Sequence, residues 1–281
     1  MRHARISSAL LVAAAILASC NTHVATVGSL WNTSVKSNYT VSRNLIYTPE
    51  GWPERIPADL FRPRSGGLHP AVLLVHGGGW TGKDGRWQVE PIAKQLVGRG
   101  YVVLNVTYRL APKYIYPAPV DDMREAVKWM QFHAAEQGID PGRIAVFGYS
   151  AGGYLAAMTA YTQTDIRAVV AGGTPGDLAL YPGGDLVPQF LGGNRHQIPK
   201  RFREASPANY ITSQSPPTFI YHAVEDKLVP REHAWAMITG LEKSGVPHEI
   251  YWIYGRDHVA AFLFPASAIT RAIDFLDRTM R

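Results

Sequence analysis

The sequence predicts an α/β fold, a mostly parallel sheet with helices on both faces, and three observations carry that prediction. Short runs of apolar, largely branched residues alternate with segments whose apolar residues recur every three or four positions, the strand and helix alternation of a parallel sheet. A triple glycine, Gly77, Gly78 and Gly79, follows one such run, Ala71-Val72-Leu73-Leu74-Val75, after a single histidine. Gly148-Tyr149-Ser150-Ala151-Gly152 lies between another run, Ile144-Ala145-Val146-Phe147, and a helix expected over residues 154–161.

Taken in order, the chain opens with Arg2 and Arg5 before an apolar stretch over residues 9–18, the layout of a secretory signal peptide and too short to span a bilayer well. It ends in Leu17-Ala18-Ser19-Cys20, which resembles the bacterial lipobox. That resemblance implies cleavage after residue 19, acylation of Cys20 and a lipid anchor in the cell envelope, and Asn21 at the next position is compatible with sorting to an outer membrane. Cys20 is the only cysteine, so no disulfide is expected and packing must hold the fold. Residues 20–38 are polar and aperiodic and read as a tether. The remainder, residues 39–281, is long enough for one α/β domain with a single core.

Residues 39–47 and 56–61 read as an antiparallel edge of the sheet. After Pro119, Val120, Met123, Val127 and Met130 share one helix face, as Ala266, Ile269, Ile273 and Leu276 do near the end of the chain. Strands are expected at residues 217–222 and 249–254. Residues 174–215 carry Gly-Gly and Pro-Gly punctuation with Leu186, Phe190 and Leu191, and read as a small cap. The net charge of +6 comes from scattered basic residues, which argues against a nucleic-acid partner. With no H-E-x-x-H pair, P-loop or cysteine cluster, no metal, nucleotide or redox cofactor is expected.

The strand, turn and helix around Ser150 is the context in which G-x-S-x-G makes a nucleophile elbow, a sharp turn that exposes the serine hydroxyl only if its flanking residues lack side chains. The glycine loop His76-Gly77-Gly78-Gly79-Trp80 exposes backbone N–H groups able to stabilise a negative oxygen. Together these segments resemble the α/β-hydrolases of the esterase and lipase type that carry an HGGG motif, including the hormone-sensitive-lipase-like and feruloyl- or acetyl-esterase-like enzymes. Tyr108-Arg109-Leu110-Ala111-Pro112, the pair Asp121-Asp122, Asp140-Pro141-Gly142-Arg143-Ile144 and Ser206-Pro207-Ala208-Asn209-Tyr210 extend the resemblance to nearly all of the chain after residue 39.

The resemblance implies an eight-stranded α/β-hydrolase sheet and a triad in the order serine, acid, histidine. Ser150 is the nucleophile. Asp226 is the acid, in His222-Ala223-Val224-Glu225-Asp226-Lys227-Leu228-Val229-Pro230, which is similar to the family's H-G-x-x-D-x-x-V-P with Ala223 in place of glycine; Glu225 is a weaker alternative. His258 is the base, following the last strand in Gly255-Arg256-Asp257-His258. His76 and His222 are expected to be structural. The backbone N–H groups of Gly78, Gly79 and Ala151 form the implied oxyanion hole. Trp80, Tyr149, Tyr154, Phe262 and the cap are expected to bound an aromatic, apolar pocket suited to short acyl or aryl esters. The implied activity is a serine carboxylesterase acting on a small-molecule ester, including acetyl or feruloyl esters of plant polysaccharides. The alternatives are an amide hydrolase, either kynurenine-formamidase-like or a peptidase, and a lipid-anchored binding protein without turnover.

Overall fold

The computed structural model describes residues 21–24, 38–181 and 183–280. The expected signal peptide, Cys20 and most of the expected tether lie outside them. Among the described residues the strands are β1 (Asn21–Val24), β2 (Tyr39–Ile46), β3 (Pro57–Pro63), β4 (His69–Val75), β5 (Val102–Val106), β6 (Ile139–Tyr149), β7 (Ala168–Gly172), β8 (Thr218–Ala223) and β9 (His248–Ile253). They form one sheet in the order β1-β9-β8-β7-β6-β4-β5-β3-β2. The helices are α1 (Arg86–Gly98), α2 (Ala118–Phe132), α3 (Ala134–Gln137), α4 (Ala151–Thr162), α5 (Leu186–Leu191), α6 (Pro199–Glu204), α7 (Glu232–Lys243), α8 (His258–Leu263) and α9 (Ala268–Thr279).

β4 through β9 run parallel, and β3 and β2 make the antiparallel edge read from the sequence. The central strands are buried on both faces, which is why they read as continuous apolar runs rather than alternating ones. Along β4 the side chains nonetheless divide: Ala71, Leu73 and Val75 join the core under α2, α4, α7 and the cap, whereas Val72 and Leu74 join that under α1 and α9. Residues 140–143 form an irregularity within β6, whose pairing with β4 shifts between His69↔Ile139 and Ala71↔Ile144.

Two expectations are corrected here. Among the described residues the sheet has nine strands, because Asn21–Val24, read as tether, pairs in parallel with β9 from Asn21↔Glu249 to Val24↔Trp252. Backbone N–H and C=O groups along β9 offer hydrogen bonds that depend little on side chains, so a polar, aperiodic segment can serve as an edge strand. The last helix begins at Ala268, and Ala266, counted on its apolar face, lies before it at φ 51°.

Arg109 and Asp122 fix the segment after β5 to α2. The Arg109 Nε–H donates to Asp122 Oδ1 at 2.7 Å, and the Arg109 backbone N–H donates to Oδ2 at 2.8 Å. Trp52 Nε1–H donates to the same carboxylate at 2.9 Å. Each Asp122 oxygen is therefore satisfied in a site from which water is excluded, the condition under which a buried carboxylate is tolerated.

Candidate active site

β6 runs straight into Ser150, where the chain turns at φ 56° and ψ −123°, a conformation that L residues avoid and that neighbouring contacts must enforce. Those contacts are backbone on backbone. A Cβ on Gly148 would lie 2.2 Å from the Gly152 carbonyl oxygen, and one on Gly152 would lie 2.2 Å from the Val75 carbonyl oxygen. Neither position can carry a side chain without moving a strand, so the pentapeptide's glycines are set by close approach. The Ser150 N–H donates to the Gly172 carbonyl at 2.8 Å, which ties the turn to β7.

The structure brings Ser150, His258 and Asp226 together from three strand ends. His258 Nδ1 lies 2.6 Å from Asp226 Oδ2, and its Nε2 lies 2.8 Å from Ser150 Oγ. A carboxylate can only accept, so Nδ1 carries the proton and Nε2 faces the serine hydroxyl as acceptor. The second carboxylate oxygen, Oδ1, accepts the N–H groups of Leu228 at 3.0 Å and Val229 at 2.7 Å. Glu225 is turned elsewhere: its Oε2 accepts the Gly255 N–H at 2.9 Å.

Tyr149 works on the same assembly from below. Its hydroxyl donates to the His258 carbonyl at 2.7 Å, and its ring lies 5.1 Å from the imidazole. The residue preceding the serine thus holds the backbone of the histidine. Asp257 caps α8 by accepting the Ala260 N–H at 2.8 Å, which fixes the start of the helix that carries His258.

The two histidines expected to be structural are buried and bonded to backbone. His76 Nδ1–H donates to the Gly77 carbonyl at 2.6 Å, and Nε2 accepts from Thr107 Oγ1 at 2.9 Å, with the ring stacked on Tyr108. Burial pulls its pKa down to about 4, so it stays neutral and shapes the glycine loop. His222 Nε2–H donates to the Val229 carbonyl at 2.8 Å and so braces the turn that cradles Asp226; burial lowers its pKa as well.

Gly78 and Gly79, at φ 108° and 62°, line the cleft beside Ser150. Ala151 opens α4 immediately after it, where helix N–H groups have no intrahelical acceptor. The cleft, about 320 Å³, is otherwise lined by Gly77, Gln88, Tyr149, Leu186, Leu228, Val259 and Phe262.

Trp80 and Tyr154, expected at the substrate, do not line it. They are 2% and 0% exposed and pack with Phe190 of the cap, because the chain turns Trp80 inward at φ 61° and α4 is buried all round. Leu186 takes the cap's place in the cleft and packs on Gly79. Leu228 and Val259 were not singled out in the sequence, although each sits one or two residues from Asp226 or His258, a signal that could have found them. Gln88 had none, since α1 reaches the cleft only through tertiary packing. Among the described residues no group of three or more His, Cys, Asp or Glu is placed to hold a metal ion.

Comparison with known proteins agrees with this architecture. The chain is 28% identical over 196 residues to Esterase LipQ of Mycobacterium tuberculosis, an alignment that covers 63% of this chain and 46% of LipQ. It spans about half the length of the curated relatives it matches first. Among solved structures it superposes on a Pyrobaculum calidifontis esterase with a TM-score of 0.69 at 26% identity, covering 86% of this chain and 87% of that one. It also superposes on a truncated carbohydrate esterase from gut microbiota with a TM-score of 0.77 at 19% identity, covering 87% and 98%, a likeness of fold. The BD-FAE family model matches residues 58–241, well over half of the chain, and the chain belongs to that family of α/β-hydrolase fold.

Proposed function

We propose that this protein is a serine carboxylesterase that cleaves short-chain or aryl esters through an acyl-enzyme. The observation that carries the reading is the continuous hydrogen-bond line from Asp226 through His258 to Ser150 Oγ, opening into an apolar cleft. His258 Nε2 takes the hydroxyl proton as Ser150 Oγ bonds to the ester carbonyl carbon, and Asp226 stabilises the imidazolium formed. The carbonyl oxygen gains the negative charge and is held by the N–H groups of Gly78, Gly79 and Ala151, each worth about 3 kcal/mol to a transition state of this type. When the tetrahedral intermediate collapses, the carbon–oxygen bond to the alcohol breaks and His258 returns its proton to the leaving oxygen. Water then enters, gives a proton to His258 and attacks the acyl carbon, and the acid leaves as the serine recovers its proton. LipQ and the Pyrobaculum protein are both esterases, which supports the same class.

Hydrolysis of p-nitrophenyl esters from acetate to palmitate by the domain and by its Ser150→Ala variant tests the reading. The expected result is turnover of the short chains that disappears in the variant. An inactive but folded domain overturns it, and a fluorophosphonate that labels Ser150 without ester turnover points instead to amide hydrolysis.

We further propose that the protein is exported and anchored by lipid at Cys20, with the catalytic domain in the cell envelope. The support is the charged, apolar and small-residue order of the first 20 residues. No helix among the described residues is long and apolar enough to cross a membrane.

A further inference from the structure

The cleft has two sides, and strand order tells which half of an ester belongs to each. β6, which delivers Ser150, lies between β4 and β7. On the β4 side stand the glycine loop, which leaves β4, and Gln88 of α1. On the other stand Leu228, from the turn after β8, and Val259 and Phe262 of α8, which follows β9. His258 belongs to this second wall.

Under the ester cleavage proposed above, on which this inference rests, the proton that His258 takes from Ser150 must go to the leaving alcohol oxygen. The alcohol therefore lies along the His258 wall. The carbonyl oxygen points to the backbone N–H groups, and the acyl group is left the β4 side, between the glycine loop, Leu186 and Gln88.

That acyl side holds one uncommitted polar side chain. The Gln88 backbone N–H donates to the Gly85 carbonyl at 2.9 Å, but its carboxamide makes no hydrogen bond with any described residue. It is half-buried at the cleft wall. The other polar side chains of the lining are engaged with one another or with backbone: Ser150 with His258, His258 with Asp226, and the Tyr149 hydroxyl with the His258 carbonyl. A carboxamide both donates and accepts, so it can pair with a hydroxyl or a carbonyl. An alkyl chain in the same place leaves it unpaired in a partly dry site.

We propose that Gln88 is a specificity-determining residue that favours acyl groups bearing a hydrogen-bonding oxygen over alkyl groups of the same shape, while the alcohol half of the cleft makes no such distinction.

Two isosteric ester pairs test this through ratios of kcat/KM. Ethyl 3-hydroxybutyrate against ethyl 3-methylbutyrate changes a methyl to a hydroxyl in the acyl group; 2-hydroxyethyl acetate against propyl acetate makes the same change in the alcohol. One neutral hydrogen bond predicts an acyl-pair ratio of about five in favour of the hydroxyl and an alcohol-pair ratio near one. In Gln88→Leu the acyl-pair ratio should fall to about one. Gln88→Glu, which keeps an acceptor but loses the amide donor, should still favour 3-hydroxybutyrate yet lose any preference for ethyl 3-oxobutyrate, which only accepts. An acyl-pair ratio near one in the wild type, a ratio that survives Gln88→Leu, or a hydroxyl preference in the alcohol pair overturns the assignment while leaving the esterase reading intact. Failure of the wild type to cleave any of these esters overturns the esterase reading itself and this inference with it.

Discussion

Phe190 of the cap lies flat on the indole of Trp80, with 4.3 Å between ring centroids and 10° between planes, and Tyr154 meets both rings edge-on. Three parts of the chain thus share one apolar cluster: the cap, the residue closing the glycine loop and the helix that follows Ser150. The cap is held by its underside, and Leu186 at the start of the same helix is brought onto Gly79. Phe190→Ala should cost about 3–5 kcal/mol of stability in denaturant unfolding and raise KM for short esters, whereas Phe190→Leu should lose less than half of that. A change below about 1 kcal/mol in the alanine variant would show that the cap is held by other contacts.

Asp226 and its neighbour Glu225 give opposite expectations. Asp226 Oδ2 is bonded to His258 and Oδ1 to two backbone N–H groups, whereas Glu225 accepts only from the exposed Gly255 N–H. Asp226→Asn should lower kcat by on the order of 10³ to 10⁴, because the amide favours the wrong imidazole tautomer. Glu225→Gln should change kcat less than about threefold. The reverse ranking would reassign the acid.

Burial of neutral histidines makes stability depend on pH. His76 and His233 are both held down to about 4, in each case chiefly by loss of water around the ring, and burial lowers His222 too. An unfolded chain binds these protons near 6.5, so between about pH 6.5 and 4 it carries more protons than the folded one, and stability falls as pH drops through that window. Each such histidine adds a slope of up to about 1.4 kcal/mol per pH unit. Urea unfolding at pH 7, 6 and 5 should show the decline, and His233→Gln should reduce the slope by about one proton. An unchanged slope in that variant would mean that His233 is not held neutral by the fold.

Lipidation at Cys20 is tested by separating address from chemistry. Cys20→Ser should leave ester turnover intact and move the protein from the membrane to the soluble fraction. Retention of the variant on membranes would sink the lipid-anchor proposal.

The core strands and the helices over them were legible because burial on both faces of a parallel sheet leaves continuous apolar runs such as residues 71–75, and packing on that sheet leaves one-face spacing such as Val120, Met123, Val127 and Met130. The elbow was legible for a harder reason: Gly148 and Gly152 touch other backbone at distances no Cβ can occupy, so the chain had to record that geometry in residue type. The ninth strand was not legible, since Asn21–Val24 joins β9 through backbone pairing that side chains barely encode.

For Ser150, Asp226 and His258 the sequence by itself determined the residue types, their order and their places at strand ends, because a strained turn, an acid-bearing loop and a histidine at a helix start each need particular local residues. Only the tertiary structure decided what surrounds them. Aromatic side chains carry no sign of which way they point, so of the four expected Trp80 and Tyr154 went into the packing, while Tyr149 and Phe262 reached the cleft. Gln88 came to line the same cleft as Ser150 because α1 packs on β4, which lies beside β6 in the sheet, a proximity between residues far apart in the chain that no local pattern could carry.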